Sequence, residues 1–250
     1  MKKAAGKLPR IEKFNFAPGR IIGGTYVVES LLGGGYEGEV YRVTEQRTGV
    51  PRTAKLFFPH RNEKDKAARI YAQKLNRLKT CPIIIQYHHA ETIHIQRQPV
   101  TCLISEYVDG FPLSDFITLH PGKRLPAFKA LHLIYDIACG LEDIHWKKEY
   151  HGDLHAGNIL VMPQGIFFDV KLVDLHHHGR SSPAQREADI LDLVHLLYHA
   201  VGGKAHYLKQ PDEIKALCRG LRSDLILKTL PTVRHLREYL ESFPVGFTRE

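Results

Sequence analysis

HGDLHAGNIL, residues 151–160, sets two chemistry-bearing side chains five positions apart, Asp153 and Asn158. A third, Asp174, closes the apolar run that follows. One carboxylate can orient a hydroxyl nucleophile, while the amide and the second carboxylate supply hard oxygen ligands to magnesium on nucleotide phosphates. That is a layout for phosphoryl transfer. A polar surface loop would hold the same side chains without such order, so the reading depends on what else the chain carries.

The second signal is SLLGGGYEGEVYRVT, residues 30–44, in which Gly33, Gly35 and Gly38 keep a GxGxxG spacing that ends on Val40. Strand formers flank it, Tyr26, Val27 and Val28 before and Val40, Tyr41 and Val43 after, so the spacing predicts a hairpin. A dinucleotide fingerprint requires a helix after the glycines. A glycine flap between antiparallel strands instead lies over ATP phosphates, and residues without Cβ let the backbone approach them closely. A flexible turn is the plain alternative. In RTAKLFF, residues 52–58, Lys55 is the one charge among Ala54, Leu56, Phe57 and Phe58. Such a lysine reaches two phosphates at the base of a cleft; an edge lysine that snorkels to water is the bland reading. The order of flap, strand lysine, Asp153, Asn158 and Asp174 along one chain favours a single nucleotide site.

At these residues the chain resembles the protein kinase-like superfamily, from about residue 24 to at least residue 203. Its HGDLHAGN loop is similar to that of small-molecule and atypical kinases, and the whole resembles an atypical bacterial-type Ser/Thr kinase. The resemblance implies a bilobal α+β fold, with an antiparallel β-rich N-lobe and a reduced helical C-lobe. It implies that Gly33, Gly35 and Gly38 cover the nucleotide, that Val40 and Ala54 roof the adenine, and that Lys55 pairs with the phosphates. Glu106 to Val108, after the strand TCLIS, resemble the hinge that offers backbone hydrogen bonds to adenine, and Leu160 the floor beneath the ring. Asp153 falls on the catalytic aspartate, Asn158 on the metal-binding asparagine and Asp174 on the aspartate of the DFG motif. Asp189 matches the buried aspartate that starts a central C-lobe helix. ATP and Mg2+ are the implied cofactors.

The departures are specific. His151-Gly152-Asp153 lacks the arginine of HRD, His155 stands where most protein kinases have lysine, and Leu175-His176 replace Phe-Gly. Only fourteen residues separate Asp174 from Asp189, which leaves little chain for docking an extended peptide. The helix expected over about residues 62–78 has no glutamate near Ala72 or Gln73 to pair with Lys55. Glu63 and Asp65 are the nearby acids and would need a shifted helix. His176, His177 and His178 lack the separated spacing of a dedicated metal site; altered loop geometry or a phosphate contact is the expectation there.

With 250 residues and 43% hydrophobic content, the chain is long enough for two small lobes. The expected division is a basic leader over residues 1–23, disordered or loosely docked, an N-lobe over 24–105, and the hinge and C-lobe over 106–250. In the C-lobe, Leu131, Ile134, Tyr135, Ala138, Leu141 and Ile144 recur at helical spacing. A second helix is expected over residues 184–198, and two more between 211 and 240, divided around Pro231. The formal charge is +8; Lys2, Lys3, Lys7, Arg10, Lys13 and Arg20 crowd the leader against Glu12 alone, a pattern that suits a solvated tail first and contact with nucleic acid, acidic protein or membrane phosphates as the alternative. No nucleic-acid motif or membrane-spanning run is apparent. Cys81, Cys102, Cys139 and Cys218 are scattered, which favours a reducing, cytoplasmic setting. The expected reaction is transfer of the ATP γ-phosphoryl group to a hydroxyl, with Ser/Thr on protein ahead of a small-molecule alcohol. The alternative is a pseudokinase or ATP-dependent interaction module.

Overall fold

Strand formers at every second position build the first of two units into which the chain divides, made of residues up to 79 together with 85–107. The computed structural model describes residues 9–164, 167–176 and 181–243. In the first unit β1 (Ile21–Ile22), β2 (Tyr26–Gly34), β3 (Gly38–Glu45), β4 (Pro51–Phe57), β5 (Tyr87–Ile95) and β6 (Gln98–Glu106) form an antiparallel sheet in the order β1-β2-β3-β4-β6-β5. Helix α1 (Lys66–Arg77) lies between β4 and β5 in sequence. Its buried residues, Ala67, Ala68, Tyr71, Lys74 and Leu75, follow the spacing of three and four that puts side chains on one helix face.

The register decides which residues share a face of this sheet. Val40 lies opposite Lys55, and Tyr41 lies opposite Ala54, which in turn lies opposite Ile104. Because side chains alternate along a strand, Val40 and Lys55 point one way and Tyr41, Ala54 and Ile104 the other. The second face carries a core of Tyr26, Val28, Tyr41, Val43, Ala54, Leu56 and Ile104.

The leader, expected to be loose, enters that core from residue 11 onward. Ile11, Phe14 and Phe16 are 4%, 8% and 6% exposed. Phe14 stacks on Phe58 at 5.1 Å and Phe16 on Tyr41 at 5.2 Å. The Phe14 N–H donates to Glu39 Oε2 at 3.1 Å, and the Phe16 N–H to the Tyr41 hydroxyl at 3.2 Å. An apolar sheet face must be covered, and each buried phenyl contributes roughly 1.5–3 kcal/mol. The basic residues drew the reading toward a tail; the apolar positions 11, 14 and 16 between them are what the fold uses.

The second unit contains residues 80–84 and the chain from 108 onward. It comprises β7 (Phe111–Pro112), α2 (Leu113–Thr118), α3 (Ala127–Trp146), β8 (Ile159–Gln164), β9 (Phe167–Leu172), α4 (Pro183–Ala200), α5 (Gly203–His206), α6 (Asp212–Cys218), α7 (Ser223–Thr229) and α8 (Val233–Glu241). The three strands pair antiparallel in the order β7-β8-β9. Helix α3 buries more than one stripe, since Ala130, Leu133 and Ile137 join Leu131, Ile134, Ala138, Leu141 and Ile144. Tyr135 sits at the margin, its hydroxyl donating to Glu241 at 2.9 Å. Gly140 admits Ile83, whose side chain would stand 2.5 Å from an added Cβ.

Helix α4 starts in a capping box: the Ser182 side chain accepts from the Gln185 N–H, and the Gln185 side chain accepts from the Ser182 N–H, with proline in the first turn. After it come three helices where two were expected between residues 211 and 240. The extra break falls where Arg219, Gly220 and Leu221 all take positive φ, a conformation that only the glycine adopts at no steric cost. No helix among the described residues is long and apolar enough to cross a membrane.

Candidate active site

In the first unit, β2 and β3 form the expected hairpin, its turn closed by the Gly35 N–H donating to the Gly38 carbonyl at 2.9 Å. Gly33, Val40, Lys55 and Leu103 lie in one row across four strands. The three glycines differ in what demands them. A Cβ on Gly38 would come 1.8 Å from the Leu56 carbonyl oxygen, so packing alone requires glycine there. Nothing lies within 4 Å of a Cβ added to Gly33 or Gly35, and neither has positive φ. Open space above bare backbone is what a ligand needs in order to approach it.

Lys55 is buried to 9% exposure. Its Nζ stands 3.6 Å from Glu37 Oε2, in the hairpin turn, and 4.4 Å from the centre of the Tyr71 ring. The α1 residue that faces this lysine is therefore Tyr71, not Ala72 or Gln73, and the buried face of the helix carries no acid. Asp65 accepts hydrogen bonds from Asn62 Nδ2 at 3.2 Å and from the Thr101 hydroxyl, and Glu63 is exposed.

Ala54 corrects the sequence reading. Alternation turns it away from Val40 and Lys55 and into the core with Tyr41 and Phe16. The β4 residue just before it, Thr53, between Arg42 and Ser105, shares the Lys55 face instead. Glu106 ends β6 with its N–H donating to the Gln86 carbonyl at 2.9 Å, while Val108 belongs to the second unit.

In the second unit, Leu160 is half-buried on β8, opposite Pro112 and Lys171. Just before it, two polar residues of the catalytic-loop pattern, Asp153 and Asn158, are tied together. Asn158 Nδ2 donates to the Asp153 carbonyl at 2.9 Å and to Asp153 Oδ2 at 3.1 Å. Both partners are acceptors, so the amide nitrogen is fixed toward them and Oδ1 is the atom able to ligate a cation. The Asn158 carbonyl accepts from the Val173 N–H at 3.0 Å, which sets Asp174 one residue beyond this contact. Asp174 is exposed and holds φ +56°, an uncommon conformation for a non-glycine residue and one met at functional sites. It is flanked by Leu175, 1% exposed, and by His176, whose N–H donates to the His151 carbonyl at 2.8 Å. His177 and His178 lie outside the described residues.

Asp153 is 57% exposed at its side chain, with His155 Nε2 3.7 Å from its Oδ2. His155 Nδ1 accepts from the Gly157 N–H at 3.0 Å, so Nε2 carries the proton and faces the carboxylate. Beneath the loop, Asp189 is fully buried and accepts from the N–H groups of His151 and Gly152, both at 2.8 Å, with His145 Nε2 at 2.9 Å. The sequence reading missed His145 and also Asp192, one turn after Asp189. Burial first, then the charge of Asp189, pushes the Asp192 carboxyl up. Its signal was the spacing of three on one helix face.

The oxygen donors of Asn158 and Asp174 suit magnesium, a hard cation bound through one or two protein oxygens plus phosphates. A β-rich unit bearing a glycine flap and a buried lysine, and a helical unit bearing this loop, define a kinase-type fold. The family description of a protein kinase domain matches residues 26–207, and the chain belongs to that family. Human myosin light chain kinase 3 is 29% identical over 157 residues, covering 62% of this chain and 18% of that protein. A probable serine/threonine-protein kinase of Streptomyces coelicolor is 27% identical over 226 residues, covering 86% of this chain and 31% of the relative. The chain thus spans less than a third of the length of these two relatives. The Mycobacterium tuberculosis PknI kinase domain matches in fold with a TM-score of 0.64 at 19% identity, covering 90% of this chain and 98% of that one.

Proposed function

We propose that the chain is a magnesium- and ATP-dependent phosphotransferase that moves the γ-phosphoryl group to a hydroxyl, with Ser or Thr of a protein as acceptor. The observation that carries this reading is the hydrogen-bonded path from Asp153 through Asn158 to Val173, next to Asp174. Asp153 would orient the acceptor hydroxyl and take its proton as the hydroxyl oxygen bonds to γ-phosphorus and the bond to the bridging oxygen of ADP breaks. Lys55 would hold the α- and β-phosphates, and Gly33 and Gly35, bare of Cβ, would admit the backbone to them. Gly38 belongs to the same flap, Val40 and Leu160 would border the base, and Glu106 to Val108 would offer it backbone hydrogen bonds. Asn158 Oδ1 and Asp174 would hold Mg2+, which supplies charge neutralisation on the phosphates. Membership of the protein kinase family favours a protein acceptor over a small alcohol.

The acid-free face of α1 favours a second reading, a nucleotide-gated interaction module that binds Mg-ATP without turnover. Calorimetry and transfer assays on three proteins separate the two. Asp153→Ala should bind Mg-ATP as wild type does and lose transfer by about 10²-fold or more, whereas Asp174→Ala should lose the magnesium-dependent part of nucleotide binding. Wild type that binds without modifying any protein or alcohol acceptor would select the interaction module. Normal binding and transfer in both variants would remove the assigned roles.

A further inference from the structure

Within the first unit, a carboxylate from the flap, Glu37, faces Lys55. We infer that Glu37 is the positioning residue for Lys55 in nucleotide binding, a deepening that rests on the nucleotide reading above. Four observations within the first unit converge on it. The Glu37 and Lys55 side chains, 20% and 11% exposed, meet at 3.6 Å. The face of α1 toward the lysine offers an aromatic ring, Tyr71, at 4.4 Å, and no acid. The backbone of Glu37 is anchored independently of its side chain, since its carbonyl accepts from the Phe58 N–H at 2.8 Å. The neighbouring Tyr36 is clasped by Arg61, whose guanidinium lies 3.5 Å from the ring centre.

The turn is therefore tied to the end of β4 at three points, Lys55, Phe58 and Arg61, and Gly38 allows the close approach to Leu56 that this needs. A part-buried ammonium requires an opposing charge to keep its place and protonation. Tyr71 supports it through the ring face but cannot set its direction as a carboxylate does. The consequence is that the flap which would cover the nucleotide also aims the lysine that would bind it. Flap position and lysine position become one variable.

The test measures Mg-ATP affinity by calorimetry for wild type, Glu37→Gln and Glu37→Asp, with thermal unfolding alongside. Glu37→Gln keeps the size and removes the charge; it should weaken Mg-ATP by about fivefold or more while the unfolding midpoint stays within about 2 °C of wild type. Glu37→Asp, with charge but shorter reach, should fall between the two. Affinity unchanged in Glu37→Gln overturns the inference. Tighter binding also overturns it, because the carboxylate would then be competing with the phosphates. If wild type binds no Mg-ATP, the nucleotide reading falls by itself, and the pairing is judged on Lys55 alone, by its rate of modification with acetic anhydride read by peptide mass. Faster modification of Lys55 in Glu37→Gln than in wild type supports the pairing, and an equal rate removes it.

Discussion

Asp189 shows how much one buried side chain can hold in place. Two backbone N–H groups and a histidine converge on a carboxylate with no exposed surface, and removing it leaves buried donors unpaired. Asp189→Ala should lower stability by about 3–5 kcal/mol, read from urea unfolding, and should cost transfer as well because His151 and Gly152 lead directly into Asp153. The glycines offer a sharper contrast. Gly38→Ala drives a Cβ into the Leu56 carbonyl and should destabilise by about 1–3 kcal/mol. Gly33→Ala and Gly35→Ala meet open space, so their unfolding midpoints should hold while Mg-ATP affinity falls. Lys55, Asp153, Asn158 and Asp174 stand out in the sequence because few other tasks call for those residue types in that order; the structure joins Asp153 to Asn158 by hydrogen bonds, and their catalytic and ligand roles are the ones proposed above. The place of Ala54 was not legible: it sits one position from Lys55, and in a strand one position is the opposite face. Tyr71 was hidden for a related reason, since the helix phase that faces it to Lys55 is set by packing against the sheet rather than by spacing from the glycines.

Among the elements, α3 and α4 were legible because their apolar periodicity runs over several turns. The extra break near Gly220 was not, because short helices differ from turns by only a few residues. The start of α4 carries a separable contribution. Ser182→Ala removes the acceptor for the Gln185 N–H and should cost about 1 kcal/mol, measured by denaturant midpoint. The segment after β4 brings a pH term. His60 stacks on Phe58 at 5.8 Å, and burial, followed by the charges of Arg10 and Arg61, holds its ring below the ordinary histidine value of 6.5. The folded state therefore prefers the neutral ring. Its contribution is complete above the unfolded value and is lost as pH falls through the lowered folded value. Urea midpoints between about pH 7.5 and 5 should fall less for His60→Gln than for wild type; parallel curves would exclude His60 as the source.

At the scale of the whole molecule the four cysteines act as built-in reporters. Cys102 lies in the first unit and Cys81, Cys139 and Cys218 in the second; all are free thiols. Burial pushes all four up, Cys218 to about 12, and the thiolate is the reactive form. Native protein should react slowly with a maleimide at every cysteine, and rising urea should expose Cys102 and Cys218 at midpoints that report each unit separately by mass spectrometry. Coincident midpoints would show a single cooperative transition. The packing of Ile11, Phe14 and Phe16 has a further consequence for how the molecule is made. Phe16 and Phe14 are synthesised before their stacking partners Tyr41 and Phe58, which follow at separations of 25 and 44 residues. The stretch from Ile11 to Phe16 must wait, uncommitted, at least until the hairpin and β4 are synthesised before it can cover the sheet face. A version begun at residue 26, where the family likeness starts, would be born with that seam open and should self-associate through it.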